Sequence, residues 1–146
     1  MSQRISIVDY GMGNLRSVQK ALQHVAPDAD VEITSDADAI HASDPVVSPG
    51  QGAMPDCMRR LAEHGLGEAV AEAARGKPFL GLCIGQQMLF EHSEEGDTPG
   101  LALLQGRVRG FLPKPGPKIP HMGWTQVGRR GAPPPGKGRA RGWLTD

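Results

Sequence analysis

Phe79-Leu-Gly-Leu-Cys-Ile-Gly-Gln-Gln-Met-Leu-Phe90 changes character in its middle. The first part reads as the end of a strand, and the spacing from Cys83 onward predicts a helix carrying Met88, Leu89 and Phe90. Small residues at positions 81 and 85 let the backbone fold tightly between the two. Such a turn exposes the side chain at its apex and aims the helix N-terminus at it. An enzyme activates a thiol in this way, because the helix dipole and free N–H groups favour the thiolate and the N–H of Ile84 can point toward an oxyanion. The plain alternative is a buried structural cysteine, and Gly-x-Cys-x-Gly alone leaves both readings open.

The surrounding pattern places that turn in a larger scheme. Apolar runs of strand length alternate with amphipathic, helix-length segments, the signature of a parallel sheet covered by helices. Arg4 to Asp9 reads as a first strand and Tyr10-Gly-Met-Gly-Asn14 as a glycine-rich turn. Leu15, Val18, Leu22 and Val25 then predict a helix that stops near Pro27. Val31 to Thr34 is a second strand, and Ser35 is positioned to cap the short segment Asp36 to His41. Pro45 to Ser48 is a third strand, ending in Pro49-Gly-Gln-Gly52. Pro55 opens a helix whose apolar face is Met58, Leu61 and Ala62. Leu66 to Ala74 is another helix, Gly76 stands like a C-cap, and Lys77 to Leu82 is the fourth strand. Leu103 to Phe111 reads as extended, and Pro113 to Trp124 as a proline-rich extended segment.

In a doubly wound sheet, ligands bind beyond the carboxyl ends of the strands, where Cys83 sits. Pro49-Gly-Gln-Gly52 leaves a strand at the same end, and its glycines let backbone N–H groups approach a ligand closely. Two loops converging there make a site, although each alone could be a plain turn. Tyr10-Gly-Met-Gly-Asn14 lacks both the spacing of a dinucleotide loop and a P-loop lysine.

Composition narrows the class. The chain has 146 residues, 38% apolar and 22% charged, which suits one globular domain. No apolar run approaches the roughly 18 residues that span a bilayer, and the N-terminus does not read as a signal peptide, so a cytoplasmic protein is expected. Cys57 and Cys83 lie in unrelated contexts, which argues against a disulfide framework or a metal site; Cys57 reads as structural.

Taken together, Asp9-Tyr-Gly-Met-Gly-Asn-Leu-Arg-Ser-Val18, Pro49-Gly-Gln-Gly-Ala53, Gly81 to Phe90, Ser93-Glu-Glu-Gly96 and Pro120-His-Met-Gly-Trp124 resemble the glutamine amidotransferase subunits of imidazole glycerol phosphate synthases. The likeness covers residues 4 to about 127. It implies a class I glutamine amidotransferase, an α/β fold with a doubly wound, mostly parallel sheet and flanking helices, here incomplete at the C-terminus. It further implies that Cys83 attacks the side-chain amide of glutamine, giving a glutamyl thioester and ammonia. Gly50 and Gly52 would complete an oxyanion hole with the N–H of Ile84 after their loop rearranges, and Gln87 would help hold glutamine. The implied partner is a (β/α)₈-barrel cyclase that uses the ammonia in histidine biosynthesis, with Asn14 and Pro120, His121, Met122, Gly123 and Trp124 on the side facing it. No cofactor, metal, nucleic acid or membrane is implied.

Departures bear on activity. Gln51 and Met54 stand where many family members have Val and Phe, Gln86 replaces a common Met, and Thr125 a common Asn. The family also uses a histidine and a glutamate in an H-P-E segment far beyond the cysteine, which this sequence does not contain. His92-Ser-Glu94 is the one similar match. On a continuous helix it would stand about 13 Å along the axis from Cys83, beyond reach of the thiol. His24, His41 and His64 fall at helix ends.

Residues 1–127 hold 11 Lys/Arg against 15 Asp/Glu, whereas 128–146 hold 5 against one. That second segment, Gly/Pro/Arg-rich with only Trp143 as an aromatic, has no periodicity, and a nucleic-acid-binding tail is the weaker reading of it. It reads instead as disordered or out of frame. On this reading the chain is a glutaminase subunit by family whose 146-residue form is inactive for want of its histidine and glutamate; the alternative function is at most binding of the cyclase.

Overall fold

The computed structural model describes residues 2–111, 123 and 124. The first compact unit runs to Gly110. Its main sheet comprises β1 (Arg4–Val8), β2 (Asp30–Thr34), β3 (Val46–Ser48) and β4 (Phe79–Gly81), all parallel in the order β2-β1-β3-β4. This order is that of doubly wound sheets, with a switch point between β1 and β3.

Both faces of the sheet are covered, which is why β1 reads as nearly continuous apolar sequence. Ile5, Ile7, Val31 and Val47 pack with Leu22 of α1 (Leu15–Val25) on one face. On the other, Val8, Tyr10 and Val46 pack against α2 (Ala37–Ala42), α3 (Met54–Glu63) and α4 (Gly67–Gly76) through Ile40, Met54, Cys57, Leu61, Leu66 and Val70. Adjacent Val46 and Val47 enter different clusters, as a pleat with period two requires.

Several local expectations shift. Val25 is 64% exposed, and Ala26, four residues after Leu22, takes the inward position. Asp36, not Ser35, caps α2, accepting from Asp38 N. The buried stripe of α3 is Met54, Cys57 and Leu61; Ala62 is exposed and Met58 half-buried. Gly76 is the last helical residue of α4, and Lys77 takes the C-cap place in extended conformation.

The largest difference follows Cys83. Helix α5 is a single turn, Ile84–Gln87, and Phe90–Ser93 is strand β5 of a second sheet, ordered β6-β5-β7 with β6 (Thr98–Pro99) and β7 (Leu104–Val108). Tertiary pairing overrides the helical period here. Leu101 N donates to Met88 O at 2.7 Å, Leu103 N to Leu89 O at 2.8 Å and Ala102 N to Phe90 O at 3.1 Å, so the returning segment takes the carbonyls a helix would have used. The expected extended run from 103 contracts to five residues of β7, paired parallel to β5.

Lys77 closes the far end of the unit. Its Nζ donates to Ile40 O, His41 O and Ser43 O at 3.1, 2.9 and 2.8 Å, at the C-terminal end of α2 where carbonyls lack helical partners. Lys77→Met is expected to lower unfolding free energy by about 1.5–3 kcal/mol, the range for hydrogen bonds to a charged group, as read by urea denaturation.

Candidate active site

Cys83 sits between β4 and α5 at φ 55°, ψ −118°, a backbone region that costs a non-glycine residue on the order of 1–3 kcal/mol. Its side chain is exposed, whereas Ile84 and Gly85 beside it are buried. The fold holds this conformation by backbone crowding. A Cβ on Gly81 would come within 2.7 Å of Gln86 Cα, and one on Gly85 would collide with the Ser48 carbonyl oxygen. A Cβ on Gly50 would lie 2.6 Å from Gly85 N and 3.0 Å from Ile84 C. The elbow and the loop after β3 therefore touch main chain to main chain, which only glycine permits.

The amide N–H groups of α5 show what the elbow offers. Gly85 N donates to Leu82 O, and Gln86 N and Gln87 N donate to Cys83 O. Ile84 N has no acceptor among the described residues, which leaves one N–H beside the thiol. The long helix whose dipole was expected to favour the thiolate is absent, since α5 is one turn; what remains is the local amide.

Pro49 to Gly52 is held from below by two buried side chains. The Tyr10 hydroxyl donates to Pro49 O at 2.6 Å, and the Cys57 thiol donates to Gln51 O at 3.4 Å. Gly52 lies at φ 92°, beneath the Met12 methyl. The loops after β1, β3 and β4 thus converge at one end of the sheet. Sequence periodicity gives no sign of the Tyr10 and Cys57 bonds, because each joins residues that the apolar pattern does not link.

A surface cleft of about 430 Å³ lies beyond α5, lined by Gln87, Ser93, Glu94, Glu95 and Arg109 among others. Gln87 is half-buried there, four residues past the cysteine. A larger groove of about 560 Å³ between α1 and β2 shares no residue with the elbow.

The remaining candidates divide. Asn14 is the N-cap of α1, its Oδ1 accepting from Ser17 N at 3.3 Å. Gly123 and Trp124 are exposed in irregular backbone. Pro120, His121 and Met122, most of the proline-rich run, and the 128–146 segment lie outside the described residues. His92 is on strand β5, so the helical distance argument no longer applies to it; its Nε2 lies 2.8 Å from Asp97 Oδ1. His41 Nδ1 lies 3.5 Å from Glu72 Oε2. Among the described residues no histidine is hydrogen-bonded to Cys83, and no helix is long and apolar enough to cross a membrane.

Glycine loops and a strained, exposed cysteine thus meet at the carboxyl ends of a doubly wound sheet, and a comparison with known families gives the class of protein. The sequence profile of the class-I glutamine amidotransferases matches residues 6–132, and the chain belongs to that family. It is 58% identical over 133 residues to the imidazole glycerol phosphate synthase subunit HisH of Aromatoleum aromaticum, covering 86% of this chain and 63% of that protein. To the protein of the same name from Thiobacillus denitrificans it is 56% identical over 142 residues, covering 92% of this chain and 62% of the relative. The chain thus spans about three-fifths of the length of these curated relatives. A solved structure of a Listeria monocytogenes EGD-e protein described as a peptidase E superposes with a TM-score of 0.54 at 14% identity, over 70% of this chain and 63% of that one, which is a likeness of fold.

The two cysteines are predicted to behave differently. Burial pushes the Cys57 thiol above its ordinary range, and burial, then the nearby Cys57, pushes the Tyr10 phenol up as well. A thiol raised in the fold contributes stability that is complete below its unfolded pKa, about 8.5, begins to fall above that value, and is lost as pH rises through the higher pKa of the folded state. The urea midpoint should therefore fall above pH ~8.5, and Cys57→Ala should delay the fall toward pH ~10, where Tyr10 titrates in the unfolded chain. Iodoacetamide should label Cys83 in the native chain and Cys57 only after denaturation, as read by mass spectrometry. Equal labelling of both would contradict the burial of Cys57.

Proposed function

We propose that this chain is the glutaminase subunit of an imidazole glycerol phosphate synthase, working in the cytoplasm on glutamine and supplying ammonia to a cyclase subunit. The observation that carries this reading is the Cys83 elbow: a cysteine held at φ 55° beside an amide without an acceptor among the described residues, against a glycine loop. The glutamine amidotransferase family supports glutamine as the substrate, and the names borne by relatives at 58% and 56% identity support the imidazole glycerol phosphate synthase assignment.

The chemistry then follows from the residues. Cys83 Sγ attacks the glutamine side-chain carbonyl carbon, and the displaced π electrons settle on oxygen as an oxyanion. The Ile84 N–H, with backbone N–H groups of the Gly50–Gly52 loop, stabilises that charge more than it does the ground-state carbonyl, which lowers the barrier. Collapse of the intermediate breaks the C–N bond, ammonia leaves after gaining a proton, and water hydrolyses the thioester to glutamate. Gln87 and the cleft beside it hold the amino-acid end. Asn14 is a candidate contact with the cyclase, and the Pro120 to Trp124 motif is assigned to the same partner on its sequence alone.

A second reading has one observation in its favour: no histidine among the described residues is hydrogen-bonded to Cys83, so the group that moves its proton is not seen beside it. In that reading the chain binds the cyclase without turning over glutamine. Ammonia release, measured with the cyclase and its nucleotide substrate present, separates the two. Glutamine-dependent release that Cys83→Ser lowers by at least about 10³-fold supports the glutaminase. A cyclase complex that releases no ammonia establishes the second reading.

A further inference from the structure

Helix α3 starts where the glycine loop ends, and it starts without a cap of its own. Its N-cap residue is Ala53, which makes no side-chain hydrogen bond, and Pro55 in the first turn has no N–H. The Met54 N–H is instead taken from far along the chain, by Glu95 Oε2 at 3.0 Å. A carboxylate there also meets the positive end of the helix.

The turn that carries Glu95 is built to present it. Buried Ser93 accepts from Glu95 N at 3.2 Å through its Oγ, and Thr98 Oγ1 donates to Glu95 O at 2.8 Å. Gly96 lies at φ 63°, and any Cβ on it would collide with the Pro55 ring. The close approach of the turn to α3 thus depends on a glycine next to the capping glutamate. Ser93-Glu-Glu-Gly96 is a designed contact and not merely a polar loop between strands.

The geometry points to Glu95 as a positioning residue for the Gly50–Gly52 loop: we infer that its carboxylate, docked by Gly96 on Pro55, fixes the downstream end of that loop, as Tyr10 fixes the upstream end at Pro49. The consequence for catalysis rests on the glutaminase reading, since it matters only if the loop supplies amides to an oxyanion. The latch itself does not. It ties the second sheet to the loop opposite Cys83, so a displacement of β5 or its turn is felt at Gly50 and Gly52.

Amide hydrogen exchange on the full chain tests this. In Glu95→Ala, exchange at Met54 and at residues 50–53 should rise about five-fold, the loss typical of a helix cap, while β1 and β3 keep their protection. Glu95→Gln retains an acceptor and should restore much of that protection. Gly96→Ala keeps the carboxylate but lifts the turn, and should reproduce the Glu95→Ala pattern. Unchanged exchange at 50–54 in Glu95→Ala, or a rise spread evenly over all four strands of the main sheet, would overturn the assignment. Because exchange needs no turnover, a chain that proves inactive with glutamine still decides the matter.

Discussion

The approach of Gly85 to the Ser48 carbonyl is the contact on which the rest depends. Where strand β3 ends, its last carbonyl accepts from Leu82 N at 3.0 Å, and the following loop crosses directly over the elbow. No side chain fits between them at Gly50 or Gly85, and none fits within the elbow at Gly81. Close packing there does two things at once. It stabilises a cysteine backbone conformation that is unfavourable alone, and it leaves the Ile84 N–H beside the thiol.

This arrangement explains why buried polar groups collect beneath the loop. A loop of glycines has little apolar surface of its own and large conformational entropy to lose. Tyr10 and Cys57 offset that by donating to its carbonyls from the core, and Glu95 accepts from the Met54 N–H just past its downstream end. The core cluster beneath is thus more than filler, since two of its members set the direction of peptide groups in the site.

Much of this was legible in sequence. The main-sheet strands are legible as short apolar runs, α1 by its apolar period, α2 from capping residues and α3 from Pro55 in its first turn, and Gly81 and Gly85 by their spacing around Cys83. What misled was Met88 to Phe90, whose spacing satisfies a helix while the backbone joins a second sheet. The deciding factor was pairing with residues 100–104, a tertiary effect that a local pattern does not contain. Because Phe90–Ser93 is a strand, a helical rise from Cys83 does not set the distance to His92. Glu95 was visible only as part of a family block, because a cap supplied 41 residues away leaves no local signal.

Glutamine recognition at Cys83 by loop and elbow together is the central proposal. Its most direct test is covalent capture by a chloroketone analogue of glutamine, read by mass spectrometry of the whole chain with and without glutamine. The account predicts saturable modification at Cys83 alone, slowed by L-glutamine and not by D-glutamine. Modification that rises linearly with reagent, is indifferent to glutamine, or falls on another residue would contradict it.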